Sequence, residues 1–329
     1  MSSAVSNGNS QASHTPAQPN PESFFEGPAE FEALLSPPKF DSVDDERAYL
    51  KERLAAALRI FGKYGYDHHI AGHLTVRRVC KLRKTRRFAV VTISDLILVN
   101  EEGEVIGGGK PGRRIVNKAG FLIHSSIHKA RPDVQAICHS HSVYGKAFST
   151  LGKPASSLGL FRFVRDLTFF VFALAGDHDS RLYILSPSFS PTMVLTFERR
   201  SPSACSFYDD IALLTQFDGV VLSREEGGLI AQTLGNKKAI ILQNHGILTV
   251  GTTLDAAVAW YILLETQCQV QLLADAACAG RGPNDQPKAI EHEDAVFTAK
   301  QGGSEKAGYL FASPYFQVIE TEEGDKYRK

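Results

Sequence analysis

The sequence predicts a layered α/β or α+β domain over residues 42–280. Three observations carry that prediction. Strand-like and helix-like segments alternate along the stretch, several strands are apolar runs of the buried kind, and the longest helical pattern in the chain closes it.

Order begins at SVDDERAYLKERLAAALRIFGKYGY. Ser42 or Asp44 can cap a helix there, acids fill its first turn, and Leu50, Leu54, Leu58 and Phe61 lie along one face. Strand-like pieces follow: HLTVR, RFAVVTISDLILVN and GEVIGGG. NKAGFLIHSSIHKARP reads as a helix stopped by Pro132, DVQAICHSHS as a strand, and VYGKAFSTLG as a helix with Gly152 at its end. Later, GGLIAQTLGN is a helix, KAIILQNHGILTVG is strand, turn and strand, and TLDAAVAWYILLETQCQVQLLADAA is the longest helix. Residues 281–329 read as a looser C-terminal extension.

Residues 1–41 are rich in Ser, Pro, Asn, Gln and Ala. They bury too little apolar surface to offset their ordering entropy and read as a disordered tail. Two internal segments fit poorly. RRVCKLRKTRR (77–87) is a dense basic run inside the strand region. Residues 155–202 hold Phe clusters, Ser and Pro with no clean period, and a long unstructured connection is uncommon inside a compact domain.

Composition excludes several classes. Thirty-six basic residues balance 36 acidic ones, so bulk charge favours neither nucleic acid nor an anionic membrane as partner. The N-terminus lacks the apolar core of a signal peptide. The most lipid-like stretch, LTFFVFALAG (167–176), is too short to span a bilayer. Five scattered cysteines (Cys80, Cys138, Cys205, Cys268, Cys278) form no CxxC and read as reduced thiols of a cytoplasmic protein.

The chemistry concentrates in histidines. In AICHSHSVYGKAF, His139 and His141 stand at i and i+2, which on a strand share one face. Alone, the pair fits two surface histidines as well as a metal site. In IILQNHGILTV, an apolar strand runs into Asn244, His245 and Gly246, and Gly246 permits a tight turn. Alone, His245 is an ordinary turn histidine. Together they give three imidazoles at the ends of buried strands. Three protein ligands with one open position is the arrangement of a catalytic zinc, with Zn–N of roughly 2.0–2.1 Å. His124 and His128 share a helix face at i, i+4 and could also chelate, but no Glu follows the first His as in HExxH, and a polar helix face or buried, hydrogen-bonded histidines is the favoured reading. His68, His69 and His73 surround YDHHIAGHLTVR, and nothing in their spacing requires a role.

These pieces, in this order, resemble the class II aldolase/adducin family. The matching stretches include AGHLTVR, ISDLILVNEEGEVIGGGKP, NKAGFLIHSSIHKARPDVQAICHSHSVYGKAFSTLGKP, CSFYDD and EEGGLIAQTLGNKKAIILQNHGILTVGTTLDAAVAWYILLE. RPDVQAICHSHS followed about a hundred residues later by ILQNHG is the most specific pair. The AGH and VIGGGKPGRRIVNKAGF stretches look most like the adducin-related proteins of fungi. The resemblance implies a three-layer α/β/α domain with a mainly antiparallel central sheet, usually a homotetramer with sites at subunit interfaces. It implies Zn2+, or another divalent metal, on His139, His141 and His245. Gly72, His73, Thr75 and Asn117 become substrate-contacting positions, and Tyr315 a proton donor, with Tyr309 as the other option.

Three departures qualify the resemblance. The Glu that aldolases of the family carry before the HxH strand falls here at about Gly120, and the only charge nearby is Lys118; losing such a base removes a factor of roughly 10²–10⁴ in rate. The Asn of the aldolase AGN motif is His73. The stretch 155–202 replaces a short connector, so abruptly that it reads as an unspliced intron or gene-model error, which transcript sequencing tests. Two functions follow from the resemblance: a metal-dependent lyase, epimerase or decarboxylase acting on a small hydroxy-carbonyl or sugar-phosphate compound, or a non-catalytic adducin-like head that assembles and binds actin at the cytoskeleton.

Overall fold

The computed structural model describes residues 36–68, 72–77, 87–151, 200–217, 219–282 and 285–329. The readings of residues 1–35 as a tail, of most of the basic run at 78–86, of most of the insertion at 155–199, and of His69, Cys80 and Gly152 fall outside the described residues.

The first helix, α1 (Val43–Lys63), is capped by Ser42, whose hydroxyl accepts from Asp45 N–H at 3.0 Å; Asp44 instead pairs with Arg47 at 2.8 Å. Strand β1 (His73–Val76) follows. The stretch expected as one strand, RFAVVTISDLILVN, is mostly two 3-10 turns, Phe88–Val90 and Ile93–Asp95, with a short β2 (Ile97–Val99). The physical reason is Asp95. Its buried carboxylate accepts from Thr92 N–H at 3.2 Å and bends the chain before β2 can start. Strand β3 (Val105–Gly108) pairs with β2 as a separate ribbon.

Next come α2 (Lys118–Ala130), β4 (Ala136–Ser140), α3 (Val143–Ser149), the single turn α4 (Pro202–Cys205), β5 (Ile211–Leu214), α5 (Arg224–Leu234), β6 (Ala239–Leu242), β7 (Gly246–Gly251) and the long α6 (Leu254–Cys278). The main sheet has the order β1-β4-β7-β6-β5. Every neighbouring pair is antiparallel except β5 and β6, which α5 joins in parallel.

Alternation along the strands assigns the two faces. Ala136, Cys138, Ile241 and Ile247 face a core shared with α1 and α6, where Leu54, Leu58, Phe61, Trp260 and Tyr261 are fully buried. Ile137, Ile240, Leu242, Leu248 and Val250 face a second core under α2 and α5, with Ile123, Ile127, Ile230 and Leu234. Helices thus cover both faces, and the fold is the expected three-layer α/β/α arrangement with a mainly antiparallel sheet.

The C-terminal residues differ from the looser extension expected. They form α7 (His292–Gly302) and α8 (Glu305–Glu323), and Phe316, Ile319 and Tyr327 are buried in the first core. Arg59 to Glu323 at 2.7 Å and Arg53 to Glu320 at 3.1 Å tie α8 to α1. Among the described residues Cys138, Cys205, Cys268 and Cys278 are unbridged, and no helix is long and apolar enough to cross a membrane.

Candidate metal centre

The two central strands and the turns at their ends gather the three predicted ligands. β4 ends at Ser140, so His141 lies one residue past the strand, in the turn that opens α3. His245 ends the turn between β6 and β7. There Asn244 takes the left-handed conformation (φ 57°), and Gly246, read as permitting the turn, also lies at positive φ (156°). Gly246 also serves a close approach: a Cβ there would stand 2.9 Å from Ser140 O. One ligand nitrogen from each of His139, His141 and His245 lies within 4.8 Å of the others. Ring centroids are 5.2 Å apart for His139 and His141, 4.9 Å for His139 and His245, and 4.7 Å for His141 and His245.

The tautomer of His139 follows from its surroundings. Its Nδ1–H donates to Ile247 O at 2.9 Å, a carbonyl that can only accept. Nε2 therefore carries the lone pair, and this fully buried atom has no hydrogen-bond partner. Orphaned buried polar atoms call for an explanation, and a metal ligand set is one. Burial, followed by the neighbouring histidines, holds His139 far below the usual imidazole range. Burial and then His141 push His245 down to about 4. Burial, then Lys146 and His68, lower His141. All three are neutral at pH 7, the protonation state a metal requires. The donor chemistry fits zinc and other borderline divalent metals.

Side chains of α6 fix the turn that carries His141. Glu265, on α6 and 4% exposed, accepts from Ser142 Oγ–H at 2.5 Å, Gly145 N–H at 2.7 Å and Tyr144 N–H at 2.9 Å. Its carboxylate thus caps α3. Tyr261, one turn earlier on α6, stands 2.8 Å from Ser142 Oγ and donates to Ser140 O at 3.1 Å. The residues on both sides of His141 are anchored to α6. Neither anchor was read from the sequence; the available signal was an acid set in the apolar run WYILLETQ.

Beside His139 the expected substrate-contacting positions form a packed cluster. His73 pairs with His139 across β1 and β4, and their rings stack at 5.3 Å. Asn117 caps α2, its Oδ1 accepting from Gly120 N–H at 3.4 Å, which turns its Nδ2–H toward His73 Nε2 at 2.5 Å. Gly72, at φ 98°, lets the chain pass Ser140. Thr75 is already engaged. His128 Nδ1–H donates to Val134 O at 3.2 Å, so Thr75 O–H donates to His128 Nε2 at 3.2 Å, and Thr75 Oγ1 accepts from His124 Nδ1–H at 2.8 Å. Of the two alternatives the sequence offered for His124 and His128, a polar helix face or buried, hydrogen-bonded histidines, the second is the one found. Tyr315 is placed elsewhere. Its ring packs edge-on to Tyr64 at 5.5 Å and lines a cavity of about 850 Å³ bounded by α4, α6, α7 and α8, with no histidine on its wall. Tyr309 lies near Tyr49 and Asp255.

A three-layer domain with three convergent imidazoles at the ends of its central strands is what the resemblance to class II aldolases leads one to expect. The chain belongs to the class II aldolase and adducin N-terminal domain family, whose model matches residues 52–272. Among solved structures it is similar to an L-fuculose 1-phosphate aldolase from Glaciozyma antarctica PI12, at 51% identity and TM-score 0.71, over 90% of this chain and 98% of that one. Among curated proteins it is 37% identical to a 4-hydroxy-3-prenylphenylpyruvate oxygenase/4-hydroxy-3-prenylbenzoate synthase of Streptomyces roseochromogenus subsp. oscitans, over 86% of each chain. It is 35% identical to the decarboxylase NovR of Streptomyces niveus, over 88% of this chain and 90% of that protein.

Proposed function

We propose that this chain is a divalent-metal-dependent lyase acting on a small hydroxy-carbonyl compound, with His139, His141 and His245 holding the metal. The observation that carries the reading is the buried Nε2 of His139, deprotonated by the hydrogen bond at Nδ1, without a partner, and converging with two other neutral imidazoles. When bound, the metal would act as a Lewis acid on a carbonyl oxygen. The protein's part is to hold three neutral donors in place: Ile247 O orients His139, the α6 anchors orient the His141 turn, and the β6–β7 turn presents His245. The names of the relatives, an aldolase and a decarboxylase among them, support a lyase, and the family supports a homo-oligomer that works on a small molecule.

Elemental analysis of the purified protein tests the reading, beside a His139→Ala/His141→Ala control. About one zinc, manganese or iron per chain, lost in the control, is the expected result. A folded protein without metal would overturn it and favour the adducin-like, non-catalytic alternative.

A further inference from the structure

Metal ligation by His139, His141 and His245 leaves a charge to account for, and the substrate preference inferred from that charge rests on the ligation. Three neutral imidazoles bring no negative charge to a divalent cation. Among the described residues no carboxylate or thiolate joins the group. Glu226 lines a small cavity with His245, but its carboxylate caps α5, accepting from Leu222 N–H at 2.7 Å and Ser223 N–H at 3.2 Å.

The space beside His139 is closed to a further side chain from α2. A Cβ built on Gly120 would lie 2.5 Å from His73 Nε2 and 2.6 Å from its Cδ2 and Cε1, far inside contact distance. No side chain fits at position 120 while the His73 imidazole is in place. That imidazole is held on both sides, stacked on His139 and bonded to the Asn117 amide. His73 and Gly120 therefore form a matched pair that fills the space with a neutral ring. The one carboxylate beside the His141 turn that the hydrogen bonds show, Glu265, is turned to Ser142, Tyr144 and Gly145, and two charges nearby are positive. The first turn of α2, where helices ordinarily collect acids, has none and begins with Lys118. Lys146 on α3 acts electrostatically on His141.

We propose that the substrate supplies the missing charge: the site takes a small acid with an oxygen on the carbon next to its carboxylate, a 2-oxo or 2-hydroxy acid, and the His73–Gly120 pair selects it over a neutral hydroxyketone. A cation in a partly desolvated site demands a compensating anion. With the α2 position closed, the open side of the three imidazoles is where that anion enters.

The test loads the protein with Co2+ and follows its visible absorption during titration with pyruvate or hydroxyacetone, which differ by a carboxylate against a hydroxymethyl group. Pyruvate is expected to bind at least about tenfold more tightly at equal ionic strength. A His73→Asn/Gly120→Glu variant opens the space and fills it with a carboxylate; its expected ratio is near one. A pyruvate preference short of tenfold in the wild type overturns the proposal, as does an unchanged ratio in a folded double variant. Should that variant fail to fold, the wild-type ratio decides. Failure of the folded wild type to take up Co2+ removes the metal reading and this proposal with it, whereas uptake without preference removes this proposal alone.

Discussion

Glu265→Gln probes how far the proposed metal centre depends on a residue outside the three histidines. The carboxylate accepts three hydrogen bonds in a buried setting, from Ser142 Oγ, Gly145 N and Tyr144 N. A glutamine of the same shape keeps one acceptor oxygen and turns an NH2 group toward donors. One or two buried donors are then unpaired, at about 1–3 kcal/mol each. The expected loss of stability is about 3 kcal/mol, read as a drop in melting temperature of about 6–9 °C on the scaling for large domains. Metal affinity separates positioning from mere stability. If α6 holds the His141 turn in ligating geometry, the folded variant should bind Co2+ about 10–100-fold more weakly, with an altered visible spectrum. Tyr261→Phe, which removes the bond to Ser140 O, should show a smaller shift in the same direction. A Gln variant that loses stability but keeps the wild-type Co2+ affinity and spectrum would refute the positioning argument.

Two further outcomes come from the same geometry. Burial, with Arg77 nearby, lowers the pKa of His128 to about 4 from an ordinary 6.5. The unfolded chain therefore binds the proton first, so stability is full above pH 6.5 and falls as pH drops toward 4, by about 2 kcal/mol at pH 5; urea unfolding at pH 7.5 and 5.0 should show a smaller difference in His128→Gln, and equal slopes would count against it. Gly62→Ala places a Cβ 2.3 Å from Ala89 N, a backbone atom that cannot swing away, and should cost about 1–3 kcal/mol. Gly228→Ala, in the exposed middle of α5 with open space around it, should gain about 0.5–1 kcal/mol. Thermal melts of both variants check the contrast.

The sequence carried the layers and the convergence of three histidines because both are written in local pattern. Short continuous apolar runs of the buried kind mark β4, β6 and β7, and the HxH and NHG motifs sit where those runs end. It failed where a single polar side chain overrides propensity. RFAVVTISDLILVN is rich in β-formers, yet Asp95 turns it into two 3-10 turns by bonding Thr92. The C-terminal residues read as loose although α8 carries an apolar helical run that includes Leu310, Phe311, Phe316 and Ile319, and the docking of Phe316 and Ile319 in the first core shows why they fold.

The remaining features of the site are products of distance in the chain. Glu265 acts on Ser142 from 123 residues away, and Asn117 on His73 from 44. No periodicity links such pairs. Position 120 shows the consequence most clearly. Read along the chain, Gly120 is only a missing carboxylate, a sign of lost chemistry. Read in space, the glycine is required, because His73 occupies the volume a side chain would need. An acid at 120 and the imidazole at 73 are therefore alternatives for one volume, and the choice made at one position decides the other. The ring that fills this volume is held by an oriented amide, and the affinity ratio for pyruvate over hydroxyacetone is where the effect of that neutral filling becomes measurable.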